Sequence, residues 1–154
     1  MTDTTPTESN LSGLDRKDFQ KNINSRKTDL YILKNAQGME VAVTNYGCAI
    51  LSIMVPDKNG KFANVILGHD SIEHVINSPE PFLSTTIGRY GNRIANGKFT
   101  LYGEEHQLTV NNGPNSLHGG PTGFHARVWD AVQPNESTVI FNYTSADGEE
   151  GFPG

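Results

Sequence analysis

Cysteine is almost missing from this 154-residue chain. Cys48 stands alone, which excludes an internal disulfide framework and any zinc site built from cysteines. Clustered basic residues are missing as well. Twelve Lys and Arg face 17 Asp and Glu, for a net charge of −5, and no basic run offers the footprint that nucleic acid requires. Neither nucleic acid nor an acidic membrane surface is an expected partner. Nowhere do about 18 apolar residues run together, so no bilayer-spanning helix is predicted. The start, Met1-Thr-Asp-Thr-Thr-Pro-Thr-Glu-Ser-Asn10, has neither the basic nor the apolar region of a signal peptide. A cytoplasmic setting is therefore expected, with an extracytoplasmic one after leader removal as the alternative. His-x-His, His-Glu-x-x-His, an Asp-rich calcium loop and a Gly-x-Ser-x-Gly elbow are absent, so no metal site is expected and a serine nucleophile is disfavoured. Gly88-Arg-Tyr-Gly91 lacks the third glycine and the following helix of a dinucleotide fingerprint.

What is present suffices for a core. Hydrophobic residues make up 35% of the chain, and its 16 glycines bring the apolar class to about 45%, the low edge of globular usage. Residues 1–27 read as a polar tail; within it, residues 14–23 form one short helix or turn, with apolar residues at 14, 19 and 23. From residue 28 onwards the signal is β. Leu30–Leu33 and Met39–Val43 flank the turn Asn35-Ala-Gln-Gly38, and Ala49–Val55 is an apolar run closed by Pro56. A short strand is predicted over Asn64–Leu67. Hairpins are predicted for 98–102 with 106–110, and for 128–132 with 138–143. Short β-branched and aromatic runs punctuated by Gly, Pro or Asn describe an all-β antiparallel sandwich or barrel rather than βαβ units. The acidic ending, Asp147-Gly-Glu-Glu-Gly-Phe-Pro-Gly154, carries no closing strand, so the chain is expected to be part of a longer sandwich.

Chemistry is concentrated in two loops flanking the 98–110 hairpin: Ile87-Gly-Arg-Tyr-Gly-Asn-Arg-Ile-Ala-Asn96 and Asn111 to Phe124. A hairpin brings its ends together, so the loops are expected to be neighbours. They hold Arg89, Arg93, Asn92, Asn111, Asn112, Asn115 and His118. Rigid guanidinium forks and two-way carboxamides suit a neutral polyhydroxylated ligand. Gly119 and Gly120 would let such a ligand approach the backbone beside His118. The same residues also suit ordinary turns, and both readings stand on spacing alone. His69, His74, His106 and His125 read as structural, Asp147, Glu149 and Glu150 as a solvated acidic face, and Cys48 as a small buried hydrophobe.

These loops and their flanks carry a resemblance. Asn45-Tyr-Gly-Cys-Ala49, Val55-Pro-Asp57, Val65-Ile-Leu-Gly68, Gly88-Arg-Tyr-Gly-Asn-Arg-Ile-Ala-Asn-Gly-Lys-Phe99, Asn111-Asn-Gly-Pro-Asn-Ser-Leu-His-Gly-Gly120, Gly123-Phe124, Val128-Trp129 and Asp147–Gly154 are similar, in order, to segments of the aldose 1-epimerases, or galactose mutarotases. The likeness covers residues 28–154. It implies a large antiparallel β-sandwich, the supersandwich, of which this would be the N-terminal portion of a protein about twice as long. It implies interconversion of the α and β anomers of aldohexoses such as galactose and glucose, without metal or cofactor. It implies that Asn92, Arg93 and His118 line the sugar site and that His118 assists catalysis. The family's general acid, a second histidine, its general base, a glutamate, and a sugar-binding aspartate would all lie beyond Gly154. The alternative is a non-catalytic carbohydrate-binding relative. A mutarotase for phosphorylated hexoses is disfavoured, because no basic cluster accompanies Arg89 and Arg93.

Overall fold

The structure, a computed structural model, describes residues 10–154. Most of the polar tail expected at residues 1–13 lies outside the described residues. All strand pairing among the described residues is antiparallel, as expected for the all-β class. Two short strands, β1 (Asn22–Ile23) and β2 (Arg26–Lys27), form a small ribbon. β3 (Leu30–Lys34), β4 (Glu40–Thr44), β5 (Ile50–Pro56) and β6 (Phe62–Asn64) follow as a four-stranded meander. A one-turn helix, α1 (Ile72–Ile76), is capped by the Ser71 hydroxyl accepting from the His74 N–H. It is too short for a 3.6-residue period to betray it in sequence.

The core is small and sits on one face of the meander. Leu30, Ala42, Ala49 and Leu51 meet Ile72 and Val75 of α1 and Phe19, which is fully buried. The predicted N-terminal helix is a single 3₁₀ turn, Arg16–Phe19, started by the Asp15 side chain. Thr28 fastens this turn: its hydroxyl donates to the Phe19 carbonyl at 2.7 Å and accepts from the Lys21 N–H at 3.1 Å. Residues 10–14 are also docked, because the backbone N–H groups of Leu11 and Ser12 donate to the buried carboxylate of Glu40 at 2.9 and 3.0 Å. With Lys34 Nζ 3.8 Å from the same carboxylate, these N–H groups compensate a fully buried charge. The N-terminal segment thus supplies both a core side chain and the partners of a buried one.

Three strand expectations shift. β6 lies at 62–64; beyond it Val65 still donates its N–H to the Ile53 carbonyl at 3.0 Å, but the side chains of Val65 and Leu67 are exposed. After β7 (Arg93–Ile94) come β8 (Lys98–Leu101) and β9 (Glu104–Gln107), which turn at Tyr102-Gly103 rather than at 103–105. Both turn residues have positive φ, 53° and 86°, which matches the twist of a two-residue hairpin. β11 (Asp130–Asn135) and β12 (Thr138–Asn142) turn at Glu136-Ser137, where the Asn135 side chain accepts from the Ser137 N–H at 3.0 Å. This last hairpin flanks β3: Lys34 N–H donates to the Glu136 carbonyl, and Phe141 meets Tyr31 edge-on at 5.9 Å. Asn45 ties three segments together, accepting from the Asp29 N–H and donating to the carbonyls of Lys27 and Trp129.

Candidate functional site

The two candidate loops are stitched by a ladder of their own. β7 (Arg93–Ile94) pairs with β10 (Ser116–Leu117), Leu117 lying opposite Arg93 and Ser116 opposite Ile94. Asn111 braces the second loop by bonding both the N–H (2.7 Å) and the carbonyl (3.0 Å) of Leu117. Asn115 accepts from the Asn96 N–H at 3.2 Å. Beyond the ladder, Asn92 and His118 face one another through reciprocal bonds. The His118 N–H donates to the Asn92 carbonyl at 3.0 Å, and the Asn92 N–H donates to His118 Nδ1 at 3.0 Å. Both residues adopt left-handed backbone, at φ 65° and 54°. Asparagine and histidine are both among the non-glycine residues enriched in that region.

The second of these bonds selects a tautomer. A backbone N–H can only donate, so Nδ1 is the acceptor, and a neutral imidazole held this way carries its proton on Nε2. Among the described residues no carboxylate pairs with His118, so Nε2–H is available to a ligand oxygen. Arg93 is set beside it. Its Nε donates to Asn112 Oδ1 at 2.9 Å and its Nη1 to Asn92 Oδ1 at 3.2 Å. Among the described residues Nη2 has no protein partner and no carboxylate pairs with the guanidinium. Two carboxamides therefore orient a solvent-exposed cation without neutralising it.

The two glycines after His118 do something other than admit a ligand. A side chain on Gly119, at φ 87°, would sit 1.7 Å from the Gly88 carbonyl oxygen, and one on Gly120 would sit 2.5 Å from the Glu150 carboxylate. They let the protein's own loops close on each other.

Arg89 and the acidic ending form a separate hydrogen-bonded network, in which only the buried Nε of Arg127 lacks a partner among the described residues. Arg89 donates to Ser145 Oγ at 2.8 Å and to the carbonyls of Ala146 (2.5 Å) and Pro153 (3.1 Å). Glu149 accepts from the hydroxyls of Tyr143 and Ser145 and pairs with Arg127 at 2.8 Å. Burial pushes its carboxyl up, but those hydroxyls and the positive charge of Arg127 outweigh it and hold the group below the usual range. Glu150 accepts from the Thr122 N–H at 3.0 Å. Glu149 and Glu150 are thus fastened inside the fold, correcting the expectation of a solvated acidic face.

Of the other histidines, His74 pairs with Asp70 at 2.5 Å on the surface and His106 stacks on Phe99 at 5.1 Å. His125 is buried close to the site, 4% exposed, and its Nδ1 has no partner among the described residues. Burial pushes its imidazole below the ordinary value and keeps it neutral. Phe82, which the sequence reading did not single out, separates His125 from His118. Cys48 is half-buried rather than buried, and its thiol is pushed up to about 12 by that burial. Among the described residues no group of three or more His, Cys, Asp or Glu is arranged to hold a metal. An open groove of about 520 Å³ borders the site, with Arg93 on its rim and Ile94, Phe99, Leu101 and Phe152 as its apolar lining. Asn92 and His118 do not line it.

Joined turns of an antiparallel β-fold thus present an arginine without a carboxylate partner, two carboxamides and an imidazole whose Nδ1 is already engaged. The aldose 1-epimerase family matches residues 29–154, and the chain belongs to that family. It is 42% identical over 116 residues to galactose mutarotase of Bos taurus, aligning 75% of this chain with 33% of that one. It is 42% identical over 125 residues to aldose 1-epimerase of Escherichia coli K12, with 81% and 36% covered. Among solved structures it is similar to the GalM/aldose epimerase homologue from C. elegans (TM-score 0.77, 32% identity, 82% of this chain and 39% of that one). It is also similar to galactose 1-epimerase from Lactobacillus acidophilus (TM-score 0.74, 31% identity, 87% and 39%). The aligned region spans about a third of the curated relatives' length. No helix among the described residues is long and apolar enough to cross a membrane.

Proposed function

We propose that this chain supplies the hydroxyl-binding part of an aldose 1-epimerase that interconverts the α and β anomers of galactose and glucose. Its working compartment under this reading is the cytoplasm, which suits a chain with one thiol and no disulfide framework. In mutarotation a base removes the proton from the anomeric O1 hydroxyl while an acid delivers one to the ring oxygen O5. The C1–O5 bond opens, the aldehyde turns, and the ring closes on its other face. Arg93, with Nη2 unpartnered among the described residues, donates to sugar hydroxyls and fixes orientation. Asn92 holds both neighbours in place. His118 presents Nε2–H toward the sugar and takes the catalytic role of polarising the reacting oxygen. The observation that carries this reading is the Asn92 N–H bond to His118 Nδ1, which makes His118 an outward donor beside an unpaired arginine.

One imidazole cannot remove and deliver a proton at the same instant, so the acid and base come from polypeptide other than these residues. The absence of a carboxylate beside His118 among the described residues favours, as the second reading, a carbohydrate-binding relative without catalysis. Titrating D-galactose into the 154-residue chain while following amide shifts tests the binding common to both. Shifts confined to residues 88–96 and 111–120 support it, and shifts elsewhere or none overturn it. Polarimetry of α-galactose separates catalysis from binding. The chain alone is expected to leave the spontaneous rate nearly unchanged, and fast saturable equilibration would refute the missing acid–base pair.

A further inference from the structure

Phe82 forms no bond to the proposed sugar, yet it is the ring against which His118 rests. The two centroids are 4.8 Å apart with planes inclined at 60°. Phe82 also meets His125 edge-on, 4.5 Å away at 61°. The segment bearing Phe82 is itself fixed, since the Ser84 carbonyl accepts from the Ile50 N–H at 2.9 Å and the Thr86 N–H donates to the Gly47 carbonyl at 2.8 Å. His125 is a firm backing, because it is 4% exposed and neutral.

The bond from Asn92 holds one atom of the His118 ring. The torsion that carries an imidazole is broad and nearly two-fold, so one bond leaves a flipped ring, with carbon in place of Nδ1, within reach. A side chain packed on the ring removes that freedom. We infer that Phe82, backed by His125, is a positioning residue for His118: it keeps Nδ1 on the Asn92 N–H and so keeps Nε2–H turned outward. The inference deepens the reading of His118 as the sugar-facing imidazole and rests on it, but its test observes the ring itself.

Long-range proton–nitrogen correlation spectra of the histidines report the tautomer directly, recorded on the 154-residue chain above the ordinary titration range of histidine. In the wild-type chain His118 should show two well-separated ring nitrogens, the protonated one being Nε2, and cross-relaxation between its ring protons and those of Phe82. Phe82→Leu should collapse that separation toward an average, and Phe82→Tyr should restore it. A Phe82→Leu spectrum that keeps the wild-type separation overturns the inference. So do averaged nitrogens or absent Phe82 contacts in the wild-type chain, a measurement that needs no variant and decides the matter if Phe82→Leu fails to fold. A fixed Nε2–H tautomer in a chain that binds no galactose would sink the functional reading and leave the positioning intact.

Discussion

Arg89 and Arg93 lie four residues apart on the same loop and have opposite fates. Arg89 spends its donors on Ser145, Ala146 and Pro153, in the segment where Glu149 also gathers Tyr143, Ser145 and Arg127. That region is a polar network in which nearly every donor meets an acceptor of the protein itself. Arg93 is held by two neutral amides, with Nη2 left unpartnered among the described residues. The difference lies in how many donors are engaged: Nε, Nη1 and Nη2 of Arg89 all meet acceptors, whereas two carboxamides aim Arg93 and leave its Nη2 unpartnered among the described residues. The first region is a fastening and the second a hand held open.

This contrast is broken most readily by removing the hub of the closed network. Glu149→Ala leaves Arg127, Tyr143 and Ser145 without their acceptor and should cost about 2–4 kcal/mol in urea unfolding. A change under about 0.5 kcal/mol, the size of an ordinary surface substitution, would show that the network holds nothing. Arg93→Ala should do the reverse, leaving unfolding within about 0.5 kcal/mol of wild type. In a chain that also carries the acid and base, it should lower kcat/KM by about 10²-fold, as should His118→Asn. Undiminished turnover in both variants would place the sugar elsewhere.

Smaller effects sharpen the boundary between the two regions. His125 is depressed in the folded chain by burial, so the unfolded chain binds its proton first as the pH falls. Its contribution is complete above the ordinary histidine value near 6.5 and is lost as the pH drops from there to the depressed folded value. His125→Gln should flatten unfolding stability across that window; an unchanged slope between pH 7 and 5 would mean that His125 titrates as it does when unfolded. The smallest expected effect is at Cys48, whose raised thiol should react with iodoacetamide at pH 8 far more slowly in the folded chain than in urea. Equal rates would show the thiol to be open to solvent.

Much of the fold was legible because its signals are local. The alternation over Leu30–Leu33 and Met39–Val43 around an Asn-to-Gly turn specifies β3 and β4, and the apolar run closed by Pro56 specifies β5. Turn positions were less legible. Gly103 marked the β8–β9 turn, but Tyr102 shares it at positive φ, a cost met by the hairpin's twist and invisible in composition. Phe19 read as tail because its apolar neighbours Leu14 and Ile23 are too few to make a core by themselves; residues 42, 51 and 72, which complete the cluster, are distant in the chain. Asn92, Arg93 and His118 were named from residue chemistry and likeness, while Phe82 carried no signal, since a lone aromatic after Pro81 has no period and no partner type.

The amino-acid order alone determined the β class, the turn chemistry of the two loops and the family, because each depends on residue identity over short spans. Only the folded chain decided which arginine stayed unspent, which histidine nitrogen took the proton and why Gly119 and Gly120 must be glycines. Those outcomes depend on hydrogen-bond partners and van der Waals clearances between residues as much as 19 to 64 positions apart. No spacing rule encodes such distances; they exist once the backbone has closed.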